Sequence, residues 1–345
     1  MRKMKMRLTG SALTILVVLV LTVSGCSKAA PDIYIAGYEE LDTGSVLAVY
    51  WKNGVKTLLS ENPGSAWAFS IVASGPDVYV AGLEATSSGV LEAVYWKNGE
   101  KIVLSDDAFS AWASSIAVSG SDVYVSGREM NNQGRFSAVY WKNSEKYVLS
   151  DGPLSSMASR VAVVGGNVYV AGNDSNGQPS GVKAVYWKNG ERIALSELSG
   201  NAGINAMAIA GTDLYFAGNE DSKVVYWKNG NKVELTDGMA IAVVNAIAVS
   251  GTDVYAAGNE LNDNGRTTAV YWKNGTSTGL TEGANSGMAN AMAVAGSDVY
   301  IAGRDTDTGH INSAVYWKNG LKILLSRDSN VTSATANDIF ISVKK

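Results

Sequence analysis

The chain has 345 residues, of which 46% are apolar and 17% charged, and its formal net charge is −4. This acidic balance, without an extended basic run, predicts that nucleic acids are not partners. The single cysteine excludes an intramolecular disulfide, so packing must stabilise the fold.

The first 25 residues have the organisation of a secretory signal peptide. Four basic residues precede an apolar stretch, residues 11–23, that is shorter than the ~20 residues of a membrane-spanning helix. The segment Val23-Ser24-Gly25-Cys26 then resembles the lipobox of bacterial lipoproteins. That resemblance implies cleavage before Cys26 and attachment of acyl chains, such as palmitate, to this residue. The basic residues are Arg2, Lys3, Lys5 and Arg7.

The lipobox resemblance implies a lipid-anchored protein of the cell envelope, held on a membrane outside the cytoplasm. Removing the signal peptide, residues 1–25, leaves 24 basic against 32 acidic residues, a net charge of −8. Residues 26–31 then form the lipidated cysteine and a short tether. Ser27 after the cysteine, in place of Asp, resembles an outer-membrane sorting signal if the cell has two membranes. The alternative is an ordinary signal peptide with an unmodified cysteine.

Internal repetition dominates the remaining residues, 32–345. The motif Tyr-Trp-Lys-Asn recurs seven times, at intervals of 40 to 46 residues. Repeats of about 40–45 residues composed of short strands are typical of β-propeller blades. The seven tryptophans are Trp51, Trp96, Trp141, Trp187, Trp227, Trp272 and Trp317.

Each repeat predicts four strands, named A to D along the chain. In one repeat they are residues 115–118, 122–127, 138–142 and 146–149. Strand A is an apolar run without polar alternation, which is typical of a strand covered on both faces by neighbouring blades. Asn-Gly joins strands C and D in six repeats, and Asn143-Ser144 replaces it in the seventh.

The two ends of this region predict how the ring closes. The first repeat begins with strand B at Asp32, and the last segment, residues 336–342, aligns with a strand A. The sequence therefore predicts an all-β fold: a seven-bladed β-propeller of four-stranded antiparallel blades, with the first blade closed by the C-terminal strand. A rival alignment matches Asp338-Ile339-Phe340 with the start of strand B and leaves a surplus strand.

The position of Tyr and Trp late in the blade, after a strand that ends in Gly, resembles kelch repeats. The Gly-Gly pair of kelch repeats and the Trp-Asp dipeptide of WD40 repeats are both missing. The resemblance therefore implies the propeller fold and assigns no functional residue. We expect a monomer.

The loops divide into two classes, which defines two faces of the predicted ring. The A–B and C–D turns form the constant face, because they are short and nearly identical in every repeat. The B–C and D–A loops form the variable face, since they are long and differ each time, as in 39–44, 84–89 and 129–134. Diversified loops on a repeated scaffold commonly bind ligands, although neutral drift of exposed loops gives the same pattern.

Charge follows the same division. Acidic residues concentrate in the loops of the variable face, and the constant face has the Lys of every Tyr-Trp-Lys motif, together with a second basic residue after most C–D turns. The alternative is that the lysines pair with the Asp that opens strand B. The loop acids are Glu61, Asp106, Asp107, Asp151, Glu220, Asp221, Asp263, Asp305 and Asp307.

One position just ahead of strand A is predicted to surround the mouth of the central channel. The candidate ligand-binding residues at this position are Trp67, Trp112, Met157 and Met288. Adjacent tryptophans are suited to stacking on a sugar or another flat ligand. The alternative is a hydrophobic plug that caps the channel.

Metal binding and catalysis have little support. Asp305 and Asp307 open a segment that resembles a calcium loop, but its twelfth position is Tyr316 instead of Glu, so calcium is a weak candidate and a hairpin turn is the alternative. His310 is the only histidine. No cofactor motif and no catalytic residue is identified.

The sequence favours a membrane-anchored extracytoplasmic binding module whose variable face engages a glycan or an envelope or extracellular protein. One alternative is an envelope assembly scaffold, by resemblance to the propeller lipoprotein of the outer-membrane barrel assembly machinery, although no motif is shared. The other alternative is a glycan-active enzyme that uses loop carboxylates.

Overall fold

The computed structural model describes residues 30–60, 64–105, 109–150, 155–174, 183–196, 202–281, 285–325 and 328–343. The 28 strands of these residues form seven four-stranded antiparallel sheets, which are the blades of a β-propeller. The predicted fold is thus confirmed. The signal peptide and Cys26 lie outside the described residues, as do four of the loop acids, Glu61, Asp106, Asp107 and Asp151.

In blades 2 to 7 the four strands follow one another in the chain, from the central channel outward. Blade 1 contains β1 (Asp32–Leu41), β2 (Val46–Lys52) and β3 (Val55–Leu58). Blade 2 contains β4 (Ala66–Ser74), β5 (Asp77–Ala85), β6 (Leu91–Lys97) and β7 (Glu100–Val103). Blade 3 contains β8 (Ala111–Ser119), β9 (Asp122–Met130), β10 (Phe136–Lys142) and β11 (Glu145–Ser150). Blade 4 contains β12 (Met157–Val164), β13 (Asn167–Asp174), β14 (Lys183–Lys188) and β15 (Glu191–Ala194).

The remaining blades have the same order. Blade 5 contains β16 (Ala202–Ala210), β17 (Asp213–Glu220), β18 (Lys223–Lys228) and β19 (Asn231–Glu234). Blade 6 contains β20 (Ala242–Ser250), β21 (Asp253–Leu261), β22 (Thr267–Lys273) and β23 (Thr276–Gly279). Blade 7 contains β24 (Ser286–Ala295), β25 (Asp298–Thr306), β26 (Asn312–Lys318) and β27 (Leu321–Leu324). The inner strand of blade 1 is β28 (Val331–Ser342), from the C-terminal end of the chain.

The register of β28 confirms the predicted closure. Gly37 of β1 lies opposite Ala336, as Gly303 lies opposite Ala289 in blade 7. The C-terminal segment is therefore a strand A, and the rival alignment to strand B is wrong.

The core is divided among the interfaces between blades. Each blade has a tryptophan in its third strand, counted from the channel, and these seven residues, from Trp51 to Trp317, are at most 1% exposed. Buried residues form separate clusters, each built from two neighbouring blades, such as the one that contains Tyr79 of blade 2 and Trp141 of blade 3. Inner strands are therefore covered on both faces, which explains their continuous apolar runs.

A β-bulge interrupts every inner strand at the same place, and it requires the glycine of the second strand. In blade 3 the bulge lies between Ala113 and Ser115, opposite Gly127. A Cβ atom at Gly127 would collide with the carbonyl oxygen of Trp112 and touch the ring of Trp141. The glycine that ends the predicted strand B thus allows the bulge and the tryptophan to pack on one backbone position.

Candidate ligand-binding site at the channel mouth

The constant face is occupied by contacts within the protein. In blade 3, Asn143 of the C–D turn has a left-handed backbone, with φ of 49°, as a type I′ turn requires. Its side chain accepts a hydrogen bond from the amide of Val123 and donates one to Asp122. This hydrogen bond, together with one from Lys142, lowers the pKa of Asp122. The same residues recur because they hold the turns to the strands.

The lysines of Tyr-Trp-Lys have partners of their own. In five blades the lysine forms an ion pair with the Asp that opens the second strand, so the pairing alternative is confirmed there. In blade 4 the second strand opens with Asn167, and Lys188 lies over the ring of Tyr169. The five pairs are Lys97–Asp77, Lys142–Asp122, Lys228–Asp213, Lys273–Asp253 and Lys318–Asp298. These lysines are therefore structural.

The bulges place a ring of side chains around the channel towards the variable face. Four of these bulged residues are asparagines, and each donates a hydrogen bond from Nδ2 to a carbonyl oxygen of the next blade: Asn205 to Val244, Asn245 to Ala289, Asn290 to Ala336 and Asn337 to Ala68. The distances are 2.8–2.9 Å. The other bulged residues are Phe69, Ser114 and Ser159. This ring ties neighbouring blades together and forms the floor of a cavity.

A cavity of about 360 Å³ opens above this ring, and we call it the vestibule. Its lining contains no aspartate or glutamate among the described residues. A volume of this size lies within the range of small-molecule sites, ~300–1,000 Å³. The vestibule is lined by Phe69, Trp112, Ser114, Arg128, Met157, Ser159, Arg160, Asn205, Asn245, Asn290 and Asn337.

The guanidinium group of Arg128 packs against two aromatic rings beside the vestibule. Its central carbon lies 4.4 Å from the centroid of Trp112 and 4.5 Å from that of Phe136. The two rings meet edge to face, with centroids 5.0 Å apart. Burial lowers the pKa of Arg128, but an arginine remains charged at neutral pH. The stack therefore presents a fixed positive charge.

Arg160 lies deeper, where the vestibule meets a second cavity of about 350 Å³ inside the channel. It donates a hydrogen bond to the carbonyl oxygen of Ser159. Asp338 lines the second cavity and accepts hydrogen bonds from the amides of Ile71 and Ile339. Burial raises the pKa of Asp338, and the charge of Arg160 partly offsets that effect. Arg160 is thus the second positive group of the vestibule.

Only two of the four candidate ligand-binding residues predicted from the sequence line the vestibule. Trp112 and Met157 line the vestibule, whereas Trp67 and Met288 hold the equivalent position in their own inner strands and are not among its lining residues. Trp112 also gives one face of its ring to Arg128, so the ligand surface there is an arginine–aromatic stack and not a bare indole.

Sequence reasoning missed the two arginines and the bulged asparagines. A signal for the asparagines exists, because Asn205, Asn245, Asn290 and Asn337 each interrupt an apolar run at the same place. Nothing comparable marks Arg128 or Arg160, since an arginine follows the second-strand glycine in only two repeats, at Arg128 and Arg304, and Arg160 has no equivalent in another repeat.

The calcium candidates have other roles in the structure. Asp305 forms an ion pair with Lys322 at 2.6 Å. Asp307 accepts hydrogen bonds from the amides of Gly309 and Ile311, which closes a turn in the loop. The described residues contain no group of three or more His, Cys, Asp and Glu side chains placed to hold a metal ion.

A larger cavity, of about 650 Å³, lies on blade 3 beside residues 130–133. Its two charged lining residues, Glu129 and Lys146, are paired with each other at 2.8 Å. Because the one basic residue of its described lining is already paired, this cavity offers an anionic ligand no unpaired cation and is a weaker candidate than the vestibule.

No known protein family matches the chain, and no curated protein matches it. Within the part of the chain that the structure describes, no helix has the length and apolar character needed to cross a membrane.

Proposed function

We propose that the protein is a membrane-anchored extracytoplasmic binding module that holds a glycan or protein ligand in the vestibule on its variable face. The β-propeller is commonly a binding scaffold, and the fold is compatible with this role. The observation that carries the proposal is the charged stack of Trp112, Arg128 and Phe136 at an open cavity. Five of the Tyr-Trp-Lys lysines on the constant face, in contrast, form ion pairs within the protein.

The lining of the vestibule favours binding over glycan hydrolysis. Hydrolysis of a glycosidic bond commonly uses two carboxyl groups that flank it. The described residues that line the vestibule are aromatic, apolar, amide, hydroxyl and arginine side chains, without a carboxyl group. Such a set can orient a ligand, but it lacks the acid and base of a glycosidase.

A screen tests the proposal with the full-length protein in detergent against glycans and envelope proteins. Trp112→Ala should weaken binding of the ligand that the screen finds by about 30-fold or more, since truncating a buried aromatic contact costs about 2–4 kcal/mol. Val243→Ala, at the equivalent position of blade 6 and outside the lining, is the control. Trp67→Ala reports whether the site extends to blade 2.

The outcomes separate the candidate functions. Binding that depends on Trp112 and not on Val243 supports the module. Capture of envelope proteins that is unaffected by Trp112→Ala would favour an assembly scaffold instead. Turnover of a glycan that is lost on changing one loop acid would favour an enzyme.

A further inference from the structure

The hydrogen-bonding edge of Arg128 has no partner among the described residues. Its central carbon lies over both Trp112 and Phe136, whose rings meet each other edge to face, and no hydrogen bond or ion pair joins Arg128 to another described residue. The planar guanidinium group can pack its faces on aromatic rings while the N–H groups of its edge bind a carboxylate in bidentate geometry. A half-buried arginine of this kind lacks the anion that would compensate its partial desolvation.

Arg160 adds a second positive charge without a direct ion pair. Its hydrogen bond goes to the carbonyl oxygen of Ser159. The nearest acidic influence is Asp338, whose carboxyl group accepts backbone hydrogen bonds from two strands. The vestibule therefore has two arginines and no lining carboxylate among the described residues, although the chain as a whole is acidic.

The four asparagines of the bulged ring, which we call the asparagine ring, offer hydrogen-bond acceptors, whereas the arginines can only donate. Asn205, Asn245, Asn290 and Asn337 use their Nδ2 atoms on the neighbouring blade. The four side chains line the vestibule, and no hydrogen bond from a described residue occupies their Oδ1 atoms. These oxygens can therefore accept hydrogen bonds from a ligand, and a side-chain amide oxygen has two acceptor positions. Ligand hydroxyl groups are suited to these acceptors.

We propose that the vestibule binds a sugar unit that carries a carboxylate, with the carboxylate on Arg128 and Arg160 and the hydroxyl groups on the asparagine ring. This inference rests on the proposed function and names its ligand class. A neutral sugar would leave both arginines unpaired. An acidic peptide would satisfy the arginines but offers no comparable set of hydroxyl donors to the four asparagines.

Calorimetric titration of the full-length protein in detergent tests the inference with three probes. They are an oligosaccharide of glucuronic acid, the same oligosaccharide after chemical reduction of its carboxyl groups, and an oligoglutamate peptide. We expect the acidic oligosaccharide to bind and the reduced one to bind roughly ten- to a hundredfold more weakly, because hydrogen bonds to a charged group contribute about 1.5–3 kcal/mol.

Arg128→Gln should reduce the difference in affinity between the acidic and the reduced oligosaccharide, whereas Arg304→Gln should preserve this difference. Arg304 is the matched control, since it lies opposite Met288 in blade 7 as Arg128 lies opposite Trp112 in blade 3, and it does not line the vestibule. Arg128→Lys keeps the charge without the forked edge and should give an intermediate loss. Melting curves identify any variant that fails to fold.

Equal binding of the acidic and reduced oligosaccharides, with loss in Trp112→Ala, would overturn the carboxylate assignment and leave the proposed function standing. Binding of oligoglutamate in place of the sugar would overturn the sugar assignment. A discrimination that survives Arg128→Gln would place the carboxylate elsewhere. If neither oligosaccharide nor the peptide bound, the inference would fall, and the wider screen would decide the proposed function separately.

Discussion

Six blades place a basic residue of the outer strand against an acidic residue of the second strand. The acid lies two residues after the bulge-facing glycine, as Glu39 lies after Gly37, and the base follows the C–D turn. Glu220 and Asp305, which the sequence assigns to the loops, belong to this set. The pairs are Lys56–Glu39, Lys101–Glu84, Lys146–Glu129, Arg192–Asp174, Lys232–Glu220 and Lys322–Asp305.

Blade 6 breaks the pattern at a single residue. Glu260 holds the acidic position, and Ser277 holds the position of the base, opposite Trp272. Burial raises the pKa of Glu260, and a hydrogen bond with Trp272 opposes the shift only in part. The half-buried carboxyl group thus lacks the cation that its equivalents have.

Ser277→Lys should stabilise the protein at neutral pH by about 0.5–1 kcal/mol, because it supplies the missing ion pair. Thermal unfolding should show a rise in Tm of roughly 1–2 °C. Lys232→Ser in blade 5 is the reverse change and should lower Tm. A fall in Tm for Ser277→Lys would show that the lysine does not reach Glu260.

The effect of Ser277→Lys should depend on pH. A carboxyl group whose pKa is raised in the folded state favours folding while it is protonated, and this contribution is lost as pH rises through the folded-state pKa. The gain from Ser277→Lys should therefore be larger at pH 7 than at pH 4. Glu260→Gln, which is neutral at both values, should remove the dependence, and a gain that is equal at both pH values would contradict this account.

At the scale of elements, β28 pairs the C-terminal segment with β1, the first strand of the propeller. Along most of its length it pairs with β1, and it buries Ala334, Ala336 and Ile339 against neighbouring blades. Asn337 also ties it to blade 2 by a hydrogen bond to Ala68. Without β28, the second strand of blade 1 would be an exposed edge beside an open channel.

Deletion of residues 337–345 should lower Tm by roughly 10 °C or more, since it removes the packing of Ile339, Phe340 and Ile341, where each large apolar side chain contributes about 2–4 kcal/mol. Thermal unfolding followed by circular dichroism measures the loss. Deletion of residues 343–345 is the matched control, because β28 ends at Ser342. Equal melting curves for the two deletions would mean that closure by β28 adds little stability.

At the scale of the whole molecule, the chain enters the propeller from the constant face. Asp32 opens β1 beside the C–D turn of blade 1, where Asn53 donates a hydrogen bond to its carboxylate. Five residues, 27–31, separate Cys26 from β1 and reach at most about 17 Å. A lipid on Cys26 would therefore hold the constant face near the bilayer and direct the vestibule away from it.

Cys26→Ala should release the protein from the membrane fraction, because the lipobox resemblance implies that this thiol carries the acyl chain. Fractionation of cells with immunoblotting measures the distribution. Ser27→Ala leaves the thiol in place and should remain in the membrane fraction. A Cys26→Ala protein that is still processed and membrane-bound would contradict lipidation at this residue.

Orientation can be measured with single cysteines on the two faces. Gln133→Cys on the variable face should react freely with a bulky maleimide on spheroplasts, whereas Glu100→Cys, at a C–D turn, should be shielded by the bilayer. Both positions are exposed in the propeller, so the protein itself hides neither. The same variants in a Cys26→Ala background should react equally. The reverse pattern would overturn both the orientation and the choice of face.

The amino-acid sequence by itself determined the number of blades, the order of the strands, the buried tryptophans and the closure by the C-terminal strand. The first three depend on patterns that recur in each repeat: an apolar run, an Asn-Gly turn, a glycine and a tryptophan at set intervals. The closure follows from the strand A that the first repeat lacks and that the last segment supplies. Tertiary structure alone decided which mouth residues share a cavity. Arg128, Arg160 and Asn337 come from three blades and meet only because the ring brings the inner strands together around one channel. It also decided that Trp112 packs on an arginine, since that contact depends on the residue that the neighbouring strand places opposite it.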